Sequence, residues 1–143
     1  MKTILFLLVF ATTTICFSQT DVDQVKQVVT SAYIEGIQNN GPIEDIKNGF
    51  HTSFNMLRLM DNDIKPLPIG EWIASIEKRR QENPAPPANR TEGKFLAVEV
   101  VGNAATIKLE LHRGGKLIFT DFLLLYKFNE GWKIVSKTFY RHP

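Results

Sequence analysis

KFLAVEVVGNAATIKLELHRGGKLIFTDFLLLYKFNEGWKIVSKTFY, residues 94–140, decides the fold. Apolar and polar residues alternate in four runs, and each junction carries glycine: Gly102-Asn103, Arg113-Gly114-Gly115 and Asn129-Glu130-Gly131. Glycine tolerates the positive φ that tight hairpins need. The pattern therefore predicts strands over 94–101, 104–112, 116–128 and 132–140, an antiparallel meander. The third run has a second property. Leu117, Phe119, Leu123 and Leu125 lie on one face; Ile118, Phe122, Leu124, Tyr126 and Phe128 lie on the other. Antiparallel sheets often leave one face in water, and this strand is apolar on both. Helices can cover only one side. We expect a second copy of the chain on the other, a homodimer through the outer sheet face, with strong sheet curvature as the alternative cover.

Upstream, the period changes from two to 3.6. Val22, Val25, Val28, Val29, Ala32, Tyr33 and Ile37 form the stripe of an amphipathic helix, which Asn39-Asn40-Gly41-Pro42 ends. Pro42 suits the first turn of a short second helix with Ile43, Ile46 and Phe50 inward. From Ser53 alternation returns: Phe54, Met56, Arg58 and Met60 oppose Asn55, Leu57 and Leu59, and Asp61-Asn62-Asp63 turns the chain into a short return strand over 64–67. Residues 68–82 predict a third helix burying Ile69, Trp72, Ile73 and Ile76, and the proline-rich residues 83–89 a loop. Helices first and a meander last make an α+β domain, with helices on one face of the sheet.

The chain has 143 residues and a formal net charge of +2, which gives no electrostatic footprint for nucleic acid or an anionic membrane. Lys2, the apolar run 4–11 and the polar residues 12–18 have the three-part form of an export signal, too short in its apolar part to span a bilayer. We expect cleavage between Ser18 and Gln19, a single domain over 19–143, and a periplasmic or secreted protein without membrane attachment after signal removal. Lipidation of Cys16 is the alternative, although Thr13-Thr14-Ile15 lacks the small residue normally found ahead of a lipidated cysteine. Cys16 is the one cysteine, so residues 19–143 have neither a disulfide nor a thiolate nucleophile.

Signals for chemistry are sparse. His51, His112 and His142 are scattered, and the carboxylate pairs Asp61/Asp63 and Glu44/Asp45 sit in a turn and at a helix start; we expect no metal. There is no Gly-x-Ser-x-Gly turn and no phosphate-cradling glycine loop, since Gly114-Gly115 belongs to a hairpin. Alternation places Lys137, between Val135 and Phe139, on an apolar face, either snorkelling at the sheet edge or anchoring an acidic or carbonyl-bearing ligand. Asp121, between Phe119 and Leu123, needs a cationic partner there. Lys78-Arg79-Arg80 reads as a solvated helix end.

Local strings add a resemblance. Phe50-His51 before Phe54-Asn55-Met56-Leu57, Glu71-Trp72-Ile73, Gly102-Asn103-Ala104-Ala105, Thr120-Asp121-Phe122, Leu125-Tyr126-Lys127-Phe128 and Gly131-Trp132-Lys133-Ile134-Val135 with Lys137 span nearly all of residues 19–143. Together with the element order they resemble the nuclear transport factor 2-like superfamily, and within it the branch called Putative lumazine-binding, a group of small exported bacterial proteins. The resemblance implies a cystatin-like cone: three N-terminal helices packed on a strongly curved antiparallel sheet, with a pocket at the wide end and dimerisation through the outer face. The branch name implies a pterin-like or flavin-like ligand.

Ketosteroid isomerases share this fold and use a carboxylate base with a tyrosine and a protonated acid at the dienolate oxygen. Laid on that pattern, Tyr33 falls on the tyrosine position, but the base position falls at or next to Arg58 and the second acid position on Leu124. We therefore expect no catalytic residues of that type and no cofactor. The expectation is an exported small-molecule-binding domain, non-enzymatic, for an apolar or heteroaromatic ligand held by Tyr33, His51, Phe54, Met56, Trp72 and Lys137. An isomerase- or cyclase-like enzyme using His51 or Asp121 is the alternative. A dimeric interaction module with its cavity filled by Phe54, Met56 and Trp72 is a third reading.

Overall fold

The computed structural model describes residues 20–143; the expected export signal and Cys16 lie outside the described residues. Thr20 caps the first helix, its Oγ1 accepting from the Asp23 backbone N–H at 3.2 Å. Helix α1 (Asp21–Val28) is α-helical, and the helix then continues as a wider π segment (Val29–Gln38). In that segment Ala32, Tyr33 and Ile34 are consecutive and all buried, which a one-sided stripe does not produce. Three neighbours explain it. Ala32 faces helix α2 (Ile43–Gly49), Ile34 reaches Gly93 in the sheet, and the Tyr33 ring meets Trp72 of helix α3 (Ile69–Glu82).

Six strands follow or intervene: β1 (Phe50–Met60), β2 (Asp63–Pro68), β3 (Thr91–Val101), β4 (Ala104–Arg113), β5 (Lys116–Phe128) and β6 (Gly131–Arg141). They form one sheet in the order β2-β1-β6-β5-β4-β3. The meander β3–β6 is antiparallel as the alternation predicts, but β1 joins β6 in parallel, so the sheet is mixed. Strand β1 begins at Phe50 rather than Ser53, directly from the end of α2, because Phe50 is already inward and paired with Ile134. The β1–β2 turn has positive φ at both Asp61 and Asn62, the conformation of a two-residue hairpin loop.

Side chains from the concave face of the sheet, among them Leu109, Leu111, Leu123, Leu125 and Ile134, bury completely against Val25, Val29 and Ile37 of the first helix. Fully burying one such side chain contributes about 1.5–3 kcal/mol. Two polar ties fix the helix over the sheet. At one end Asp21 accepts from Lys127 Nζ at 2.6 Å and from Trp132 Nε1 at 3.1 Å. At the other, the Asn39 carboxamide accepts from the Thr91 N–H at 2.7 Å and donates to the Thr91 carbonyl at 3.0 Å, acting as a partner strand for the start of β3. The convex face is different: Phe122, Leu124 and Tyr126 are 48%, 50% and 50% exposed. The doubly apolar strand read from the sequence is therefore buried on its inner side only.

Helix α2 approaches the π segment so closely that a Cβ on Gly49 would stand 2.2 Å from Ala32 Cβ. Overpacking of this kind costs about 1–3 kcal/mol. We expect Gly49→Ala to lower the unfolding free energy by that amount, seen as a lower urea midpoint with an unchanged m-value; a variant as stable as wild type would refute the close approach.

Candidate functional site

Tyr33, Asp121 and Lys137 come from the π segment, β5 and β6 and meet inside the cone. Tyr33 Oη donates to Asp121 Oδ2 at 2.6 Å, and Lys137 Nζ donates to Asp121 Oδ1 and to Tyr33 Oη, each at 2.6 Å. Strand register makes the meeting possible. Asp121 pairs with Phe139 and Leu123 with Lys137, so the acid and the ammonium are diagonal neighbours on one face, within reach for long side chains. Asp121 is fully buried and Lys137 is 4% exposed, so the lysine does not snorkel at the sheet edge. Removing an ion pair from water is costly and is tolerated only with good geometry and satisfied hydrogen bonds, which Tyr33 completes here.

Burial sets the electrostatics. It pushes the Lys137 ammonium below the ordinary lysine value, an effect that the neighbouring Asp121 carboxylate opposes. Burial first, and then the Asp121 charge, raise the Tyr33 phenol well above the ordinary tyrosine value. Tyr33 is therefore a neutral hydrogen-bonding group, and the network holds one proton-rich end toward open space.

That space is a cavity of about 160 Å³ lined by Tyr33, Gln38, Met56, Trp72, Phe119, Lys137 and Phe139. An ammonium has three donors. Two of those on Lys137 are spent on Asp121 and Tyr33, and no third acceptor stands among the described residues. The ammonium also sits over the Tyr33 and Phe139 rings, 4.6 and 4.9 Å from their centroids. Asp121 does not line the cavity; it stands behind the two groups that do and orients them. The arrangement can donate a charge-assisted hydrogen bond to a carbonyl, enolate or carboxylate oxygen presented by an aromatic body.

Of the residues expected at the site, Tyr33, Met56, Trp72 and Lys137 line this cavity. Phe54 is fully buried and stacks beneath Trp72 at 6.0 Å, supporting the wall from behind. His51 is elsewhere. It stacks on Phe128 at 4.7 Å, and its Nδ1 accepts from the Ser53 N–H at 3.1 Å. Because β1 starts at Phe50, alternation turns His51 away from the inward face that Phe50 occupies. The count that put an acid position at Leu124 lands on the half-exposed convex face, while the carboxylate beside Tyr33 is Asp121. Gln38 and Phe119 were not singled out from the sequence. Phe119 was legible from its face of β5, but nothing local marked Gln38. Among the described residues no group of three or more His, Cys, Asp or Glu is placed to hold a metal ion.

A family model described as Putative lumazine-binding matches residues 20–140. Among solved structures, an NTF2-like (nuclear transport factor 2-like) protein from Shewanella baltica OS155 superposes with a TM-score of 0.65 at 21% identity, covering 84% of this chain and 92% of its own. A domain with a cystatin-like fold from Nostoc punctiforme PCC 73102 gives a TM-score of 0.59 at 14% identity, covering 89% of this chain and 80% of its own. Aldolase FrzH from Cladobotryum sp is 23% identical over 112 residues, 78% of this chain and 84% of that protein. The structural likenesses establish an NTF2-like, cystatin-like cone.

The shifts carry a pH signature. A phenol whose value is raised on folding contributes stability that is complete below the unfolded value of 10.0 and falls as pH rises beyond it. The lowered lysine works the other way, adding stability as pH rises toward its unfolded value of 10.5. Above about pH 10.5 the Lys137 gain is complete, while the loss from Tyr33 continues. We expect Tyr33→Phe to be less stable than wild type at neutral pH by about 1–3 kcal/mol, yet to lose stability less steeply above pH 10.5 in urea titrations. Parallel declines in the two proteins would sink the assignment.

Proposed function

This chain belongs to the family described as Putative lumazine-binding, within the NTF2-like superfamily, and from that premise we propose that it is an exported small-molecule-binding domain. The ligand we propose is a small aromatic or heteroaromatic compound bearing a carbonyl-type oxygen. One observation carries the proposal: the unspent donor of Lys137 at the end of a cavity whose walls are Trp72, Met56, Phe119 and Phe139. Such a site combines apolar walls with a few placed polar groups, as small-molecule sites do. The ion pair is held by β-strands and by a tyrosine on a packed helix, so little has to be ordered when a ligand enters. Binding without turnover is the reading we favour, because Asp121 is held behind the wall by Tyr33 and Lys137 and no carboxylate lines the cavity.

A second reading rests on the likeness to aldolase FrzH and on the lowered Lys137 value: proton transfer or carbon–carbon chemistry on a carbonyl compound held by Lys137. One experiment separates the two. Aryl ketones and pteridines are screened by thermal shift, and bound ketones are then followed by NMR in deuterated buffer. We expect stabilisation that approaches about 2.7 kcal/mol at a hundredfold excess over Kd. It should be abolished by Met56→Trp, which fills the cavity and leaves the ion pair in place. Deuterium entering the α-position faster than in buffer would favour the enzyme. No stabilisation by any member of the panel would overturn the binding proposal.

We also propose that the convex face seats a second copy. Phe122, Leu124 and Tyr126 project from it, Val101 at its rim is 80% exposed, and a shallow groove of about 200 Å³ runs beside Leu124 and Tyr126. Few monomers leave such a contiguous apolar stripe in water. Sedimentation equilibrium should give a dimer that Leu124→Glu converts to a folded monomer. A wild-type monomer at micromolar concentration would remove this proposal and leave the pocket untouched.

A further inference from the structure

The inner cavity is small for a ligand site, which typically encloses about 300–1,000 Å³. It does not stand alone. A second, larger cavity of about 380 Å³ shares two of its walls, Gln38 and Trp72. Its remaining lining includes Arg79 and Arg80 from the end of α3, Arg113 from the end of β4, and no carboxylate. Three arginines, whose side chains stay charged, thus line one space, brought there by two elements distant in sequence.

Their hydrogen bonds are incomplete. Arg80 donates to the Gly41 and Gly36 carbonyls at 2.8 and 2.7 Å, closing the end of the π segment, but its buried Nε has no partner among the described residues. Arg113 donates to Thr91 Oγ1 at 3.0 Å and to Gln38 Oε1 at 3.3 Å, both neutral acceptors. The Arg79 side chain has no hydrogen-bond or ion-pair partner among the described residues. The nearby Glu35 carboxylate is taken by Arg90. Burial disfavours the Arg80 cation and the Arg79 charge adds to that cost, which the Glu77 carboxylate, outside the cavity lining, offsets only in part. An anion would relieve both.

We propose that this outer cavity seats an anionic group, a carboxylate or a phosphate ester, carried by the same ligand whose aromatic end lies in the inner cavity against Lys137. The inference rests on the binding function proposed above and narrows it to acidic, elongated ligands that pass Trp72 and Gln38. Arginine suits this role because its planar fork matches the oxygens of either group.

Isothermal titration with ω-benzoylalkanoates from 3-benzoylpropanoate to 6-benzoylhexanoate, each against the matching ω-benzoylalkanol, tests it, the aryl ketone of both series supplying the oxygen for Lys137. At the best chain length we expect the acid to bind about tenfold more tightly than the alcohol, the scale of one charge-assisted contact. Arg79→Ala should collapse that ratio toward one, while Lys78→Ala, on the same helix end but not lining the cavity, should keep it. Equal binding of acids and alcohols at every length would overturn this inference and leave the binding function standing. Inorganic phosphate binding as tightly as the best acid would also overturn it, since the site would then hold free anions. If neither series binds, both proposals fall.

Discussion

A charge taken out of water must find its compensation within the fold, and Lys137 with Asp121 imposes that demand on the rest of this molecule. Each oxygen of Asp121 has one partner, and the Tyr33 hydroxyl both donates and accepts. Satisfying them fixes three elements at once: the register of β5 against β6, the depth of β6 in the cone, and the rotation of the first helix about its axis. Removing one partner of such a buried pair typically costs about 3–5 kcal/mol, because the survivor is left uncompensated. The aromatic cluster depends on this placement. Tyr33 packs edge-on against Phe50 and tilted against Trp72, and Phe54 stacks under Trp72. The wall of the inner cavity is therefore positioned by the same phenol that completes the ion pair.

Much of this was legible in the sequence, and the limits were physical. Hairpin glycines and period-two alternation gave the meander, because those signals are local and strong. Alternation also placed Asp121 and Lys137 on apolar faces of adjacent strands. It did not join them, since that depends on cross-strand register, and β5 and β6 shift register between Leu124 and Leu125. His51 reads as a pocket residue because it follows the second helix, near the expected rim. Because β1 starts three residues earlier, at Phe50, alternation sends Phe50 and His51 to opposite faces. The parallel junction of β1 with β6 left no local trace, because the pairing partners are far apart along the chain.

The arginines show the same limit from another side. Arg79 and Arg80 read as an ordinary charged helix end, and Arg113 as part of a hairpin turn. Only the folded chain, which brings the end of α3 and the end of β4 to one cavity, gives them a common space, with Gln38 and Trp72 as the wall it shares with the inner cavity. Acidic neighbours would have made the cluster structural, and none lines that space.

The position of β6 in the sheet makes the last strand of the chain its keystone. The β1–β2 hairpin and the β3–β5 meander are neighbours in the sheet only through β6. Without that strand they would be two separate half-sheets with open edges, each a template for wrong pairing. With it they are bridged, in parallel on one side and antiparallel on the other, and the Lys137 ammonium is brought to the Asp121 carboxylate. Continuity of the sheet and neutralisation of its buried acid thus depend on one strand, and a chain that stops short of β6 has neither.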